Sequence, residues 1–216
     1  MESPATLQEF AMNSELFRRS RVWHATWFLC ALLLLGGCSK QPDVRPLDKA
    51  GMDFRAIREL RALNVTDAEV LELTTTRAAG LSDNGCIELL RLARSRNHPL
   101  ASGEDVARLL RADISEAGVI ELARLDQLGL WVGNVELMRL AGISEETIMV
   151  VARRRAENLP VMSGAAIAQL KNAGLSESAV RELARRGIND DEAKIAFSMR
   201  RRGVKDVEIL RRFPGR

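Results

Sequence analysis

Residues 140–154 read LAGISEETIMVVARR, and residues 172–186 read NAGLSESAVRELARR. The same phrase occurs earlier as AAGLSDNGCIELLRLAR at 78–94 and as RADISEAGVIELARL at 111–125. Its fixed features are an apolar residue, a serine, three further residues, an apolar position and an Ala-Arg pair. The serines are spaced by 33, 29 and 32 residues, at Ser82, Ser115, Ser144 and Ser176. A period that drifts around 30 residues predicts a helical repeat with loops of variable length.

Within each phrase, the residue types match their expected places at the ends of helices. Each serine is predicted to be an N-cap that accepts a hydrogen bond from an unpaired helix N–H. Acidic residues follow in the first turn, where the helix dipole favours negative charge: Glu116, Glu145 and Glu177. Gly142 and Gly174 stand where a preceding helix would end in a left-handed residue. A second set of caps is predicted to begin the other helix of each pair, at Ser102, Asn134 and Ser163.

Apolar residues three or four positions apart, such as Val119 and Leu122, place one buried stripe on each short helix. Helices of this length are marginal on their own in water, so the repeats must stack on one another. We therefore predict an all-α fold, an array of short helical hairpins with repeats of about 30 residues over residues 51–213. The pattern resembles α-solenoids, although the tetratricopeptide positions are missing, and it fits either an open solenoid-like stack or a compact helical bundle.

Composition agrees with a helical protein. Hydrophobic residues make up 46% of the 216-residue chain and are mainly aliphatic, and tyrosine is absent. The net charge of +3 is too mild to require nucleic acid as a partner. The three cysteines are not expected to pair in a disulfide. Cys30 lies in an apolar run and Cys38 follows that run, so Cys86 is left alone and is expected to be a small buried hydrophobic residue.

The apolar run from Val22 to Gly37 follows Arg18, Arg19 and Arg21 and ends in small residues before Cys38, which is the pattern of an export signal. Residues Leu35-Gly36-Gly37-Cys38 resemble the lipobox of bacterial lipoproteins. That resemblance implies thioether lipidation of Cys38, cleavage between Gly37 and Cys38, and N-acylation of the new terminus. The chain then divides into a signal peptide at 1–37, with Met12 as an alternative start, a lipidated cysteine and flexible tether at 38–50, and the repeat domain.

Two other interpretations of the N-terminal region remain open. An uncleaved transmembrane anchor is less favoured, because 16 residues fall short of the roughly 20 that a spanning helix needs. A cytosolic protein is the other alternative. For a lipoprotein of the cell envelope, Ser39 after the modified cysteine favours the outer membrane facing the periplasm over the inner membrane.

No catalytic constellation is evident in the sequence. After the predicted signal, the chain has one histidine, His98, and one unpaired cysteine, which gives no zinc pattern. An enzyme would need a site formed across the array from residues such as His98, Glu104 and Asp113. We therefore expect a non-enzymatic protein with no cofactor, metal or small-molecule substrate.

Arginines are concentrated where the second helix of each pair is predicted to end, and they can be interpreted in two ways. Cations at helix C-termini are stabilising and ordinarily remain solvated. The functional interpretation is a basic rim that meets an anionic envelope polymer or an envelope protein, and lipidated Cys38 would hold it near the membrane. Trp131 is either a further contact or a buried residue between two repeats. The rim candidates are Arg153, Arg154, Arg155, Arg185, Arg186, Arg200, Arg201 and Arg202.

The favoured function is therefore a membrane-anchored interaction scaffold in the cell envelope. The alternative is nucleic-acid binding, because VELMRLAGISEETIMVVARR at 135–154 resembles a helix-turn-helix. Any capped helical pair has this appearance, and export would remove the protein from DNA. We therefore expect no nucleic-acid partner.

Overall fold

The structure is a computed structural model that describes residues 41–129 and 131–215. These residues form twelve α-helices and no strand, so the all-α prediction is confirmed. Residues from Pro42 onward form one compact unit. The predicted signal peptide, its cleavage site and Cys38 lie outside the described residues.

The helices pair in chain order into six hairpins. Each pair is joined by a turn of four residues, which matches the predicted helix, tight turn and second helix. The bounds are α1 Arg45–Lys49 and α2 Phe54–Ala62, α3 Asp67–Ala78 and α4 Asp83–Ser95, α5 Gly103–Arg111 and α6 Glu116–Arg124, α7 Val132–Leu140 and α8 Glu145–Ala156, α9 Gly164–Asn172 and α10 Glu177–Arg186, and α11 Asp190–Arg201 and α12 Asp206–Arg212.

The hairpins stack in a row with their helices in two layers. Each odd-numbered helix packs on its hairpin partner and on the odd-numbered helices of the neighbouring hairpins, and the even-numbered helices follow the same rule. Within the described residues, no helix contacts a hairpin beyond its neighbour. The predicted hairpin array is therefore confirmed, and its contacts are those of an open stack. The apolar core runs along the row between the layers.

The repeated phrase forms the turn inside each hairpin. Between α9 and α10, Gly174 is left-handed with φ 92°, and the N–H of Leu175 donates to Leu170 O at 3.2 Å. Leu175 is buried, and Ser176 Oγ accepts from Ala179 N at 3.3 Å. A left-handed residue closes the first helix, an aliphatic residue packs under the turn, and a cap starts the second helix. This combination explains why the phrase recurs in four of the six hairpins.

The predicted caps are partly confirmed. Ser144 caps no helix N–H with its side chain, and Ser102 makes no cap bond either. Asn134 was wrong as a cap because α7 already begins at Val132, and Asn134 Oδ1 instead accepts from Gly164 N of the next hairpin at 2.9 Å. The serines with the predicted bond are Ser82, Ser115, Ser163 and Ser176.

The folded array begins earlier than the predicted boundary at Gly51. Residues 45–49, expected to be part of a flexible tether, form α1, with Pro46 in the first turn where its missing N–H costs nothing. Val44 and Leu47 are buried against the array. The segment between Cys38 and the fold is therefore shorter than expected.

Two further expectations concern single features. Cys86 is fully buried, as predicted, and this burial raises the pKa of its thiol to about 12. Across the ranges 41–129 and 131–215, no helix is both long enough and apolar enough to span a bilayer. The apolar run from Val22 to Gly37 lies outside those ranges.

Candidate interaction surface

From α4 onward, a carboxylate connects the start of each even-numbered helix to the preceding hairpin. The backbone N–H of Ser115, the cap of α6, donates to Glu145 Oε2 at 2.8 Å, and Glu145 is the first residue of α8. We call this series the carboxylate ladder. Its five donor and acceptor pairs are Asp53 and Asp83, Ser82 and Glu116, Ser115 and Glu145, Ser144 and Glu177, and Ser176 and Asp206.

Other groups near these caps donate to the carboxylate or leave space for it. Ser115 Oγ donates to Glu145 Oε1 at 2.7 Å. Gly118 leaves room for this carboxylate, because a Cβ there would lie 2.5 Å from Glu145 Oε1. At the equivalent position in α8, Thr147 Oγ1 donates to Glu177 Oε1 at 2.9 Å. The acidic residues predicted only to favour their own helix dipoles therefore also join neighbouring hairpins.

Replacing Glu145 with glutamine removes the negative charge from one pair of the carboxylate ladder. The hydrogen bonds from Ser115 lose their charge-assisted component, so we expect the free energy of unfolding to fall by about 1–3 kcal/mol. Urea unfolding followed by circular dichroism measures this change. Glu157→Gln is the matched control, because Glu157 is exposed and makes no side-chain hydrogen bond or ion pair in the described part of the chain. An equal loss in both variants would contradict a specific role for the ladder.

Glu177 makes the stability of the array depend on acid pH. The hydroxyl of Ser144 donates to its carboxylate, and this bond is the main cause that lowers the Glu177 pKa from 4.5 to about 2. This stabilisation is complete above the unfolded-state pKa of 4.5 and is lost as the pH falls toward about 2. We expect Glu177→Gln to flatten the decline in unfolding free energy over that interval. An unchanged decline in the variant would contradict the assignment.

A second series of contacts crosses the outer face of the even-numbered helices. A glutamate six residues after one cap pairs with an arginine nine residues after the next cap, in the pairs Glu59 and Arg91, Glu88 and Arg124, and Glu121 and Arg153. The series stops at α8, where Val150 takes the position of the glutamate. Arg185, the next arginine in the series, has no ion pair within the described residues. Exposed pairs of this kind contribute little to stability, so the interruption matters mainly for surface charge.

Three of the predicted rim arginines hold neighbouring elements together. Arg153 pairs with Glu121. Arg154 donates to Arg185 O at 2.8 Å, and Arg186 donates to Phe213 O at 2.9 Å. These bonds satisfy carbonyls at the ends of α10 and α12, and they place the C-terminal ends of α8, α10 and α12 side by side.

At this edge, Arg155 and Arg185 are the rim arginines left for another partner. Both are exposed and make no side-chain hydrogen bond or ion pair among the described residues, and the same holds for Arg211 and Arg212 at the end of α12. This group of four at the ends of α8, α10 and α12 is the C-terminal basic edge.

Arg200, Arg201 and Arg202 do not join that edge. Arg200 and Arg201 end α11, the first helix of its hairpin, and Arg202 follows in the hairpin turn, so all three lie at the opposite edge. Arg200 pairs there with Asp206 at 3.3 Å, and Arg201 lies over the ring of Phe197 at 5.9 Å. The sequence analysis placed these arginines at the end of the second helix of a pair, but they follow the first. In the last repeat Lys205 replaces the serine that marks the start of the second helix, so the two helices could not be told apart from the sequence.

Two of the residues considered for an enzyme site lie at opposite ends of one helix. Glu104 lies at the start of α5 and Asp113 lies beyond its end, about 13 Å away along a helix of this length. His98 is half exposed, with Nδ1 3.5 Å from Asp126 Oδ1, and it lines a shallow cavity of about 220 Å³. Trp131 is buried, as in the interpretation that placed it between repeats. No cluster suited to a metal ion occurs in the described ranges.

The helix-turn-helix resemblance falls on α7 and α8. The helix that would read a DNA groove, α8, is flanked on both sides by α6 and α10. Its residues Ile148, Val151 and Ala152 are buried, and Arg153 on its exposed side pairs with Glu121. This packing does not favour groove insertion, which needs a projecting helix. No family model and no curated protein matches this chain.

Proposed function

We propose that this chain is an exported lipoprotein, anchored to a bacterial membrane through lipidated Cys38, whose helical array is a non-enzymatic interaction scaffold in the cell envelope. The observation that carries the proposal is the position of the lipobox-like Leu35-Gly36-Gly37-Cys38. It lies immediately before a compact unit that begins at Pro42 and has its own core. A signal with this ending, followed by a separate folded unit, is the organisation that a tethered envelope protein requires.

The array supports the scaffold part of the proposal. Stacked hairpins provide extended surfaces for a protein or polymer partner. The carboxylate ladder uses its acidic groups between hairpins, which is a structural role. The C-terminal basic edge, in contrast, offers unpaired guanidinium groups suited to an anionic envelope polymer or an acidic envelope protein. We place the protein on the outer membrane facing the periplasm, with the inner membrane as the alternative.

Metabolic labelling with a palmitate analogue, followed by membrane fractionation, tests the anchor. We expect the native chain to carry label and to sediment with membranes, and Cys38→Ala to lose both because no other predicted thioether site remains. Cys86→Ala is the matched control, since it removes a buried thiol outside the lipobox. A native chain that is unlabelled and soluble in the cytoplasm would contradict the proposal.

A further inference from the structure

The even-numbered helix of the first hairpin has one face that no other described helix covers. α2 packs on α1 and α4 through Ala56, Ile57 and Leu60, which are buried. At about 100° per residue, the exposed residues of α2 fall on a single stripe on the opposite side. This basic-aromatic face consists of Phe54, Arg55, Arg58 and Arg61, with Ala62 at its margin.

The exposed phenylalanine is unusual on this surface. The Phe54 side chain is 72% exposed, whereas most large apolar side chains of the array lie in the core. It stands at the first position of α2, with Arg58 and Arg61 four and seven residues further along the same side. An exposed aromatic ring beside cations is the combination that amphipathic helices use at a membrane interface.

The arginines of this face are unpaired for a structural reason. In α4, α6 and α8, the arginine nine residues after the cap pairs with a glutamate on the preceding even-numbered helix. The equivalent position of α2 is Ala62, and no even-numbered helix precedes α2 to bring a glutamate to its outer face. Arg55, Arg58 and Arg61 make no side-chain hydrogen bond or ion pair among the described residues. Glu59, the carboxylate within α2, is directed to Arg91 of α4 at 2.5 Å. Asp53, at the start of the helix, accepts the backbone N–H of Arg55 at 2.7 Å.

The distance from Cys38 limits where this face can lie. Val44, the first buried residue of the array, is the sixth residue after Cys38. An extended chain covers at most about 3.5 Å per residue, so the link spans about 20 Å at most. With Cys38 anchored in a bilayer, the first hairpin must stay close to the lipid headgroups.

We propose that the basic-aromatic face of α2 docks on the anionic phospholipid surface that holds the lipid anchor. This inference rests on the proposed lipidation of Cys38. The face supplies a second, electrostatic attachment, of the kind that a lipid-modified protein combines with its acyl chains. The array is then fixed by its first hairpin, and the C-terminal basic edge is left for a different partner.

A fluorescent probe on the full lipidated chain tests this orientation. The chain is purified from membranes with Ala62→Cys, or with Ala165→Cys on α9 as the matched site, and each is labelled with an environment-sensitive maleimide. Cys86 is buried with a raised pKa, so it leaves the introduced thiol as the reactive one. The labelled chains are reconstituted into vesicles of phosphatidylcholine alone or of phosphatidylcholine with phosphatidylglycerol, and flotation verifies attachment.

We expect the emission of the Ala62 probe to shift to shorter wavelength only with phosphatidylglycerol. The shift should be lost in the triple variant Arg55→Gln, Arg58→Gln and Arg61→Gln. It should persist in a variant with the same charge change on the C-terminal basic edge, Arg155→Gln, Arg185→Gln and Arg211→Gln. Circular dichroism verifies that all these variants remain folded.

Two results would overturn the inference while the chain still floats with the vesicles. One is an Ala62 probe that emits alike on both lipid compositions, and the other is an Ala165 probe that shifts as much as the Ala62 probe. A chain that does not float and carries no lipid would instead overturn the proposed anchor, and this inference with it.

Discussion

Replacing Leu122 by alanine is expected to lower the free energy of unfolding by about 2–5 kcal/mol. Leu122 lies in α6, in the third of six hairpins, and its side chain is fully buried. Truncation removes its apolar contacts and leaves a cavity that rigid neighbouring helices fill only in part. Urea unfolding at constant pH, followed by circular dichroism, measures the loss.

The position of Leu122 in the row lets this cavity destabilise both neighbouring hairpins. α6 packs on α4, α5 and α8, and each hairpin is held by its nearest neighbours. A defect in the middle of the row therefore weakens two interfaces at once. Leu140→Ala is the matched control, because Leu140 is 85% exposed and its truncation should change the unfolding free energy by less than about 0.5 kcal/mol. Comparable losses in the two variants would contradict the packing described here.

Gly164→Ala is the second substitution for which we expect a large effect. Gly164 begins α9 where that helix meets α7, and a Cβ added there would lie 2.5 Å from Asn134 O. The obstacle is backbone, so the two helices must move apart to relieve the contact. We expect a loss of about 1–3 kcal/mol or more in the free energy of unfolding, measured in the same urea assay.

Gly133→Ala is the control for Gly164→Ala. Gly133 also lies near the start of a helix, α7, but the nearest atom to its added Cβ is Arg108 Nη2 at 4.0 Å. The substitution meets no backbone and should raise the free energy of unfolding by about 0.5–1 kcal/mol. The free energy of unfolding is therefore expected to fall in Gly164→Ala and to rise in Gly133→Ala. A stabilised Gly164→Ala variant would show that α7 and α9 are not in close contact.

The hairpin turns could be predicted from sequence because their determinants are local. A left-handed glycine such as Gly174, a buried aliphatic residue and the cap Ser176 act within a few positions of one another. The same local reasoning failed at Asn134. Its side chain bonds to the next hairpin, a contact that only the stacked structure creates.

Contacts between hairpins were the part that the sequence could not reveal. Glu116 and Glu145 fit the rule for a first helical turn, and nothing local shows that each also accepts from a cap about 30 residues earlier. Arg154 and Arg186 fit the rule for helix C-termini, but each is engaged with a neighbouring hairpin. The sequence did hold one signal for the carboxylate ladder. Each cap serine is followed, about one repeat later, by an acidic residue at the start of the equivalent helix.

The measurement that tests the central claim most directly is the intact mass of the protein purified from bacterial membranes. The proposed function predicts a chain that begins at Cys38, lacks residues 1–37 and carries the mass of a diacylglyceryl thioether and an N-acyl group. A chain that retains residues 1–37, or one with an unmodified Cys38, would contradict it.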